Sequence, residues 1–355
     1  MTGAPRVLFV PVSGPGGAGE YYRSLAIARA VERRWPGAAI SFVMSREAPQ
    51  AAGAPYPVHL VDRSPTYETA AVRRILADVR ADVAVFDGAG RVAQYRCART
   101  LGTRTVFVSS RPSTRRKGFG LRRLWNLYQH WIVAPRFLGG GLGTAERAKL
   151  LLAPRCEPVF LDVLYEPIDE EATRALQSRL GVVRGQYVIA CPGGGGHATG
   201  GREPWQVYLE ASRRVAAQRG LPVVAVLGPR ATVAVEVPGV RVIESLPNAV
   251  LMGMVRDAEC GVVNGGSLLV QAIAVGLPCV AAPISDDQPA RVAACAARGL
   301  ARAAALDAGD LASAAGTLAD AAVRNGLVER LATLGLRNGI DVAVGALGRL
   351  LATSR

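Results

Sequence analysis

Histidine is nearly missing from this sequence, which has three in 355 residues, at positions 59, 130 and 197. None stands beside a second plausible ligand and no Asp-x-Asp pair occurs, so no resident metal is expected. Cysteine adds no framework. The six thiols, Cys97, Cys156, Cys191, Cys260, Cys279 and Cys295, are scattered without a Cys-x-x-Cys spacing. Several lie inside apolar runs, the pattern of reduced, buried thiols in a cytosolic protein. No apolar run approaches the ~18 residues of a membrane-spanning helix. The first residues enter a strand pattern directly, without the charged-then-apolar order of a secretion signal, so a cytoplasmic location is expected. Acidic residues are scarce too: 28 Asp and Glu against 42 Lys and Arg leave a formal net charge of +14. Such an excess implies attraction to polyanions, anionic membranes or acidic ligands.

Half of the residues are hydrophobic, enough for a large core, and the length allows two domains. Apolar strand-like runs alternate with Ala-rich helical stretches, which predicts an α/β class. The pattern opens twice in the same way. A strand at 6–12 runs into a loop with glycines at 14, 16, 17 and 19, then a helix from Glu20 that stops before Pro36. A second strand at 187–191 runs into Pro192 and glycines 193–196, 200 and 201. A helix follows from Glu203 to Gln218, and Gly220 ends it. Further strands are predicted at 39–44, 58–61, 82–86 and 105–108, then at 222–227, 240–243, 260–263 and 278–282. Strand, glycine loop and helix in tandem describe two Rossmann-like halves. The expected domains are 1–165 and 166–335, with 336–355 as a C-terminal helix returning to the first.

Asn264 to Pro278 is the most informative run. Gly265 and Gly266 let backbone approach a ligand, and Ser267 opens a helix whose unpaired N–H groups favour anions. Just past the next strand, Ser285, Asp286, Asp287 and Gln288 form a polar cluster. A phosphate cradle followed by hydroxyl-binding groups suits a nucleotide-sugar better than a nucleic acid.

The basic excess is uneven. Arg111 to Arg123 holds six basic residues and no acid, and it runs into Trp125, Tyr128, His130 and Trp131. An interfacial segment at an anionic leaflet has this character; so do a nucleic-acid contact and a plain solvated face. No recognisable nucleic-acid module accompanies it. The expected partners are a nucleotide-sugar donor and an anionic membrane surface met through residues 111–131, without nucleic acid. Peripheral attachment to the inner face of the cell membrane would follow.

At three places the chain resembles the GT-B nucleotide-sugar glycosyltransferases, most of all the family 28 branch that contains the lipid-II-forming N-acetylglucosaminyltransferase. The related UDP-sugar hydrolase of pseudaminic acid synthesis is similar as well. Gly17-Ala18-Gly19-Glu20 resembles the first glycine loop, Pro192 to Gly196 the second, and Gly265 through Gln288 the donor-binding signature. The resemblance implies two Rossmann-like parallel-sheet domains facing across a cleft, with the donor in the second and the acceptor mainly in the first. It also implies inverting, metal-independent transfer from a UDP- or dTDP-sugar to a hydroxyl acceptor, lipid-linked at the membrane surface, without a cofactor. Hydrolysis or epimerisation of the donor, or binding without catalysis, remain open on the same scaffold.

By this resemblance Gly194, Gly195, Gly196, His197, Gly265, Gly266 and Ser267 hold the diphosphate. Gln271 meets the ribose, Asp287 and Gln288 the donor sugar, and the loop around Leu246 the nucleobase. Gly17, Gly19 and Arg23 face the acceptor or a phosphate. Glu20 and Asp87 are the candidate bases. Two positions depart from the family. Glu20 replaces the loop histidine, and a carboxylate in a helix's first turn is stabilised as the anion, which weakens it as a base. Its other reading is a structural acid paired with Arg23. Gln271 stands where relatives carry glutamate, and offers weaker bonds to hydroxyls. Asp87, past a strand end, reads as a base, a base-orienter or a helix cap.

Overall fold

The structure is a computed structural model that describes residues 4–14, 19–193, 203–228, 231 and 236–352. The chain divides into two compact units, one made of Met1–Leu164 with Asn338–Arg355, the other of Tyr165–Arg337.

The first unit is built on seven strands: β1 (Arg6–Pro11), β2 (Ala39–Ser45), β3 (Val58–Val61), β4 (Val83–Asp87), β5 (Arg104–Ser109), β6 (Gln129–Val133) and β7 (Glu157–Leu161). They form one parallel sheet in the order β3-β2-β1-β4-β5-β6-β7. Because successive side chains of a strand point to opposite faces, β1 feeds two cores. Val7 and Phe9 join one with the helices Gly19–Arg34 and Ile340–Ala352, while Leu8 and Val10 join the other with Val72, Leu76, Tyr95 and Phe107. Burial on both faces explains why these strands read as unbroken apolar runs.

β6 and β7 escaped the sequence reading. β6 carries Gln129 and His130, both buried, and β7 begins Glu157-Pro158. Most of their polar groups find partners inside, His130 Nδ1 being buried without one among the described residues. Gln129 Nε2 donates to Glu157 Oε2 at 2.8 Å and to the Ala346 carbonyl at 3.1 Å, and its Oε1 accepts from Trp131 Nε1 at 2.9 Å. His130 Nε2 lies 2.9 Å from Ser109 Oγ. Satisfied in this way, polar side chains can occupy a core. Hence the segment 111–131 is only partly a surface element, since Phe119, Leu124, Leu127 and Trp131 are also buried.

The second unit repeats the plan with β8 (Val188–Cys191), β9 (Val223–Val226), β10 (Val240–Ile243), β11 (Cys260–Asn264), β12 (Cys279–Ala282) and β13 (Arg302–Ala303). The order is β10-β9-β8-β11-β12-β13, again parallel throughout. In each unit the strand order reverses beside the first strand, between β1 and β4 and between β8 and β11. Ligand crevices of open parallel sheets form outside the strand carboxyl ends at such switch points.

Candidate functional site

In the second unit the switch point is held together by one side chain. Asn264, the last residue of β11, donates from Nδ2 to the Pro192 carbonyl at 2.8 Å, and its Oδ1 accepts from the Gly266 N–H at 2.6 Å. It thereby ties the loop leaving β8 to the loop leaving β11. Gly193, at φ +87°, packs so tightly on Asn264 that a Cβ would lie 2.2 Å from Nδ2. A Cβ on Gly265 would lie 2.5 Å from Val292 Cγ2, and one on Gly266 2.6 Å from Asn264 Oδ1. These glycines are therefore demanded by the protein's own packing, whatever approaches from outside.

The turn delivers the chain into the helix Ser267–Ala274, with Ser267 exposed at its first position. The first N–H groups of a helix have no intrahelical partner and carry partial positive charge. Gln271 is half-buried on the same helix. Arg291, which the sequence reading missed, donates from Nη1 to the Gly265 carbonyl at 2.7 Å. Its Nη2 lies 3.9 Å from Asp287 Oδ2. Only their spacing of four, across the start of the helix Pro289–Ala297, connects these two in the sequence.

The polar cluster after β12 is ordered from within. Gln288, expected to meet sugar hydroxyls, is buried, and its Oε1 accepts from the Ile284 N–H at 2.9 Å. Asp287 is more exposed, and its Oδ1 accepts from Ser285 Oγ at 2.8 Å. Leu246 is half-buried in the loop before the helix Asn248–Asp257. Cys191 ends β8, and burial pushes its thiol up to about 11, so it is no nucleophile at neutral pH. Gly194, Gly195, Gly196 and His197 lie outside the described residues, as does Gly17 in the first unit.

In the first unit Asp87 ends β4 fully buried. Arg23 forks onto it, with Nε 2.8 Å from Oδ2 and Nη2 2.5 Å from Oδ1, and Ser24 Oγ adds a contact at 3.4 Å. Burial pushes the Asp87 carboxyl up to about 6, against the downward pull of Arg23. Burial likewise opposes the Arg23 charge, but Asp87 outweighs it and holds that guanidinium above its ordinary value. The pair is charged at neutral pH.

Glu20, in the first turn of the helix Gly19–Arg34, pairs elsewhere than expected. Its Oε1 accepts from Arg111 Nη2 at 3.0 Å. A pairing of Glu20 with Arg23 is thus replaced by two pairs, because Arg23 points inward to the sheet end. Nor does Asp87 cap the next helix, Val92–Thr100, whose N-cap is Arg91. Gly88, at φ +65°, brings the turn after β4 against Glu20, where a Cβ would lie 3.7 Å from Glu20 Cγ. Gly19 starts its helix with open space around the Cβ position. Arg111 was visible only as one of a basic run, since 91 residues separate it from Glu20. Among the described residues no group of three or more His, Cys, Asp or Glu is placed to hold a metal ion.

No family model matches this sequence, and no curated protein does. Solved structures do match over the whole length. CalG4, the calicheamicin glycosyltransferase, is 16% identical with a TM-score of 0.61, covering 99% of each chain. A UDP-glucose: anthocyanidin 3-O-glucosyltransferase in complex with UDP is 9% identical with a TM-score of 0.64, covering 100% of each. The fold is GT-B. A UDP-N-acetylglucosamine 2-epimerase candidate from Listeria monocytogenes also matches, at 12% identity and a TM-score of 0.62, covering 98% of this chain and 95% of that one. At such identities the likeness carries the GT-B architecture and not one branch of it, so the narrower family 28 resemblance rests on the motifs alone.

Proposed function

We propose that this protein moves a sugar from a nucleoside diphosphate sugar, UDP- or dTDP-linked, to a hydroxyl acceptor with inversion at the anomeric carbon. The observation that carries this reading is the turn fixed by Asn264, which presents the N-terminus of the helix Ser267–Ala274 at the switch point between β8 and β11. Fixed N–H dipoles are suited to the charge that develops on a departing diphosphate. Ser267 adds a hydroxyl there, and Arg291 sets a positive charge behind the same turn. Glycines 194–196 and His197 complete the diphosphate site in this reading. Gln271 meets the ribose, Asp287 the donor sugar, and the loop at Leu246 the base. Gln288 acts as a brace for the loop at Ile284.

Glu20 is the acceptor's base in this scheme. Arg111 holds its carboxylate, and the Asp87–Arg23 pair anchors the helix that bears it. Gly17 and Gly19 leave room for the acceptor. A lipid-linked acceptor at the inner face of the membrane fits the basic first unit. No described helix is long and apolar enough to cross a membrane.

Calorimetry against UDP-, dTDP-, GDP- and CMP-sugars tests the proposal, with a dissociation constant of about 1–100 μM expected for one donor class. Silence with all four removes it. The 2-epimerase candidate among the structural neighbours supports a second reading, in which the donor itself is the sole substrate. Incubation with donor alone separates the two. Rapid nucleotide release or a changed sugar, indifferent to added acceptor, establishes the second.

A further inference from the structure

The first unit carries an exposed apolar group apart from the residues assigned above to sugar transfer. Leu151 and Leu152, at the end of the helix Thr144–Leu151, are 83% and 62% exposed, and Trp125 is 52% exposed. Trp125 Nε1 donates to the Leu152 carbonyl at 2.9 Å, which joins the three into one patch. That bond uses the indole's single polar hydrogen, so what Trp125 shows to solvent is hydrocarbon. Apolar side chains gathered at a surface and rimmed by polar ones mark a place of interaction.

The rim is basic. Arg147 lies one helical turn before Leu151, Arg122 three residues before Trp125, and Arg155 three residues after Leu152. Between 111 and 156 the chain has ten Lys and Arg but one acid, Glu146, which Arg115 already holds at 2.6 Å. Neither Arg122 nor Arg147 forms an ion pair among the described residues. The segment 111–131 thus supplies Trp125 and part of the rim, while the two leucines come from a helix beyond it.

We propose that this patch docks the protein on the anionic face of a lipid bilayer. Leu151 and Leu152 enter the interfacial zone, and the arginines meet lipid phosphates. A nucleic acid would engage the arginines and leave both leucines in water, whereas a bilayer uses the whole surface. Docking needs no turnover, so its test is separate from that of the transferase reading.

The experiment is co-sedimentation of the whole protein with vesicles of phosphatidylcholine, with or without about one-third phosphatidylglycerol, at about 0.15 M salt. Binding to the anionic vesicles is expected, with much less to the neutral ones. Replacing Leu151→Ser and Leu152→Ser together is expected to lower the partition coefficient about tenfold while leaving circular dichroism unchanged. Arg122→Glu with Arg147→Glu should weaken it similarly. A wild-type protein left in the supernatant overturns the proposal, as does binding that survives the leucine changes. Tight retention on duplex DNA, lost with the arginines and indifferent to the leucines, together with absent vesicle binding, assigns the surface to nucleic acid instead.

Discussion

Arg23 and Asp87 form a forked ion pair inside the first unit, although 64 residues separate them in the chain. Neither is open to solvent, so the pair fastens the helix Gly19–Arg34 to the carboxyl end of β4 and leaves Glu20 as the outer carboxylate. Removing one partner strands the other charge. Asp87→Asn is expected to cost about 3 kcal/mol of stability, measured by urea unfolding. Asp87→Leu combined with Arg23→Met should recover most of that loss. Equal destabilisation by the single and the double changes would contradict this account of the pair.

Glu20→Gln should separate chemistry from binding. Donor affinity is expected to stay within about twofold while turnover falls by about 10²–10⁴. Arg111→Met removes the guanidinium that holds the carboxylate in place and should lower turnover without abolishing it. Unchanged turnover in Glu20→Gln, measured by product mass spectrometry, shifts the base to another residue.

Asn264→Ala removes the link between the two glycine loops and leaves the Pro192 carbonyl and the Gly266 N–H without that partner. A stability loss of about 1–3 kcal/mol is expected. Nucleotide affinity should fall with it, because the helix N-terminus is no longer held. Gly265→Ala tests the same turn by crowding, since its methyl would press on Val292. Overpacking of this kind costs about 1–3 kcal/mol. Unaltered calorimetric binding in Asn264→Ala would separate the turn from the donor site.

His130 predicts acid sensitivity. Burial, with the Arg115 charge next in weight, holds its pKa down at about 3, against an ordinary value of 6.5. An unfolded chain takes up this proton near pH 6.5, and the folded one refuses it until about pH 3. Stability from this group is therefore complete above pH 6.5 and declines as the pH falls, by about 1.4 kcal/mol per unit. His130→Gln keeps a polar group for Ser109 and should flatten that slope between pH 6.5 and 5 in urea titrations. A slope identical to wild type would show that His130 takes no part.

Sequence alone reaches the architecture because the inner strands are buried on both faces. β1, β4, β8, β11 and β12 carry almost nothing but apolar side chains; β1, β4 and β11 end at Pro11, Asp87 and Asn264, and prolines follow β8 and β12. β6 stays hidden because Gln129 and His130 break that pattern, and their partners lie 217 and 21 residues away. The site divides along the same line. Gly265, Gly266 and Ser267 are legible as a helix-opening turn. The roles of Asn264, Arg291 and Arg111 are not, since each depends on a group brought near only by the sheet. The charge pattern likewise points to 111–131, but exposure adds Leu151 and Leu152, at the end of the helix Thr144–Leu151, to the Trp125 of that segment.

The helix Ile340–Ala352 fills the core of a unit whose other residues end at Leu164, with Tyr165–Arg337 translated in between. During synthesis the seven-stranded sheet must therefore wait with one face incomplete, and Gln129 without the Ala346 carbonyl, until the ribosome has finished the last helix. The second unit is contiguous and can settle first. A premature stop before Ile340 would spoil the N-terminal half of the molecule while sparing the half nearest the stop.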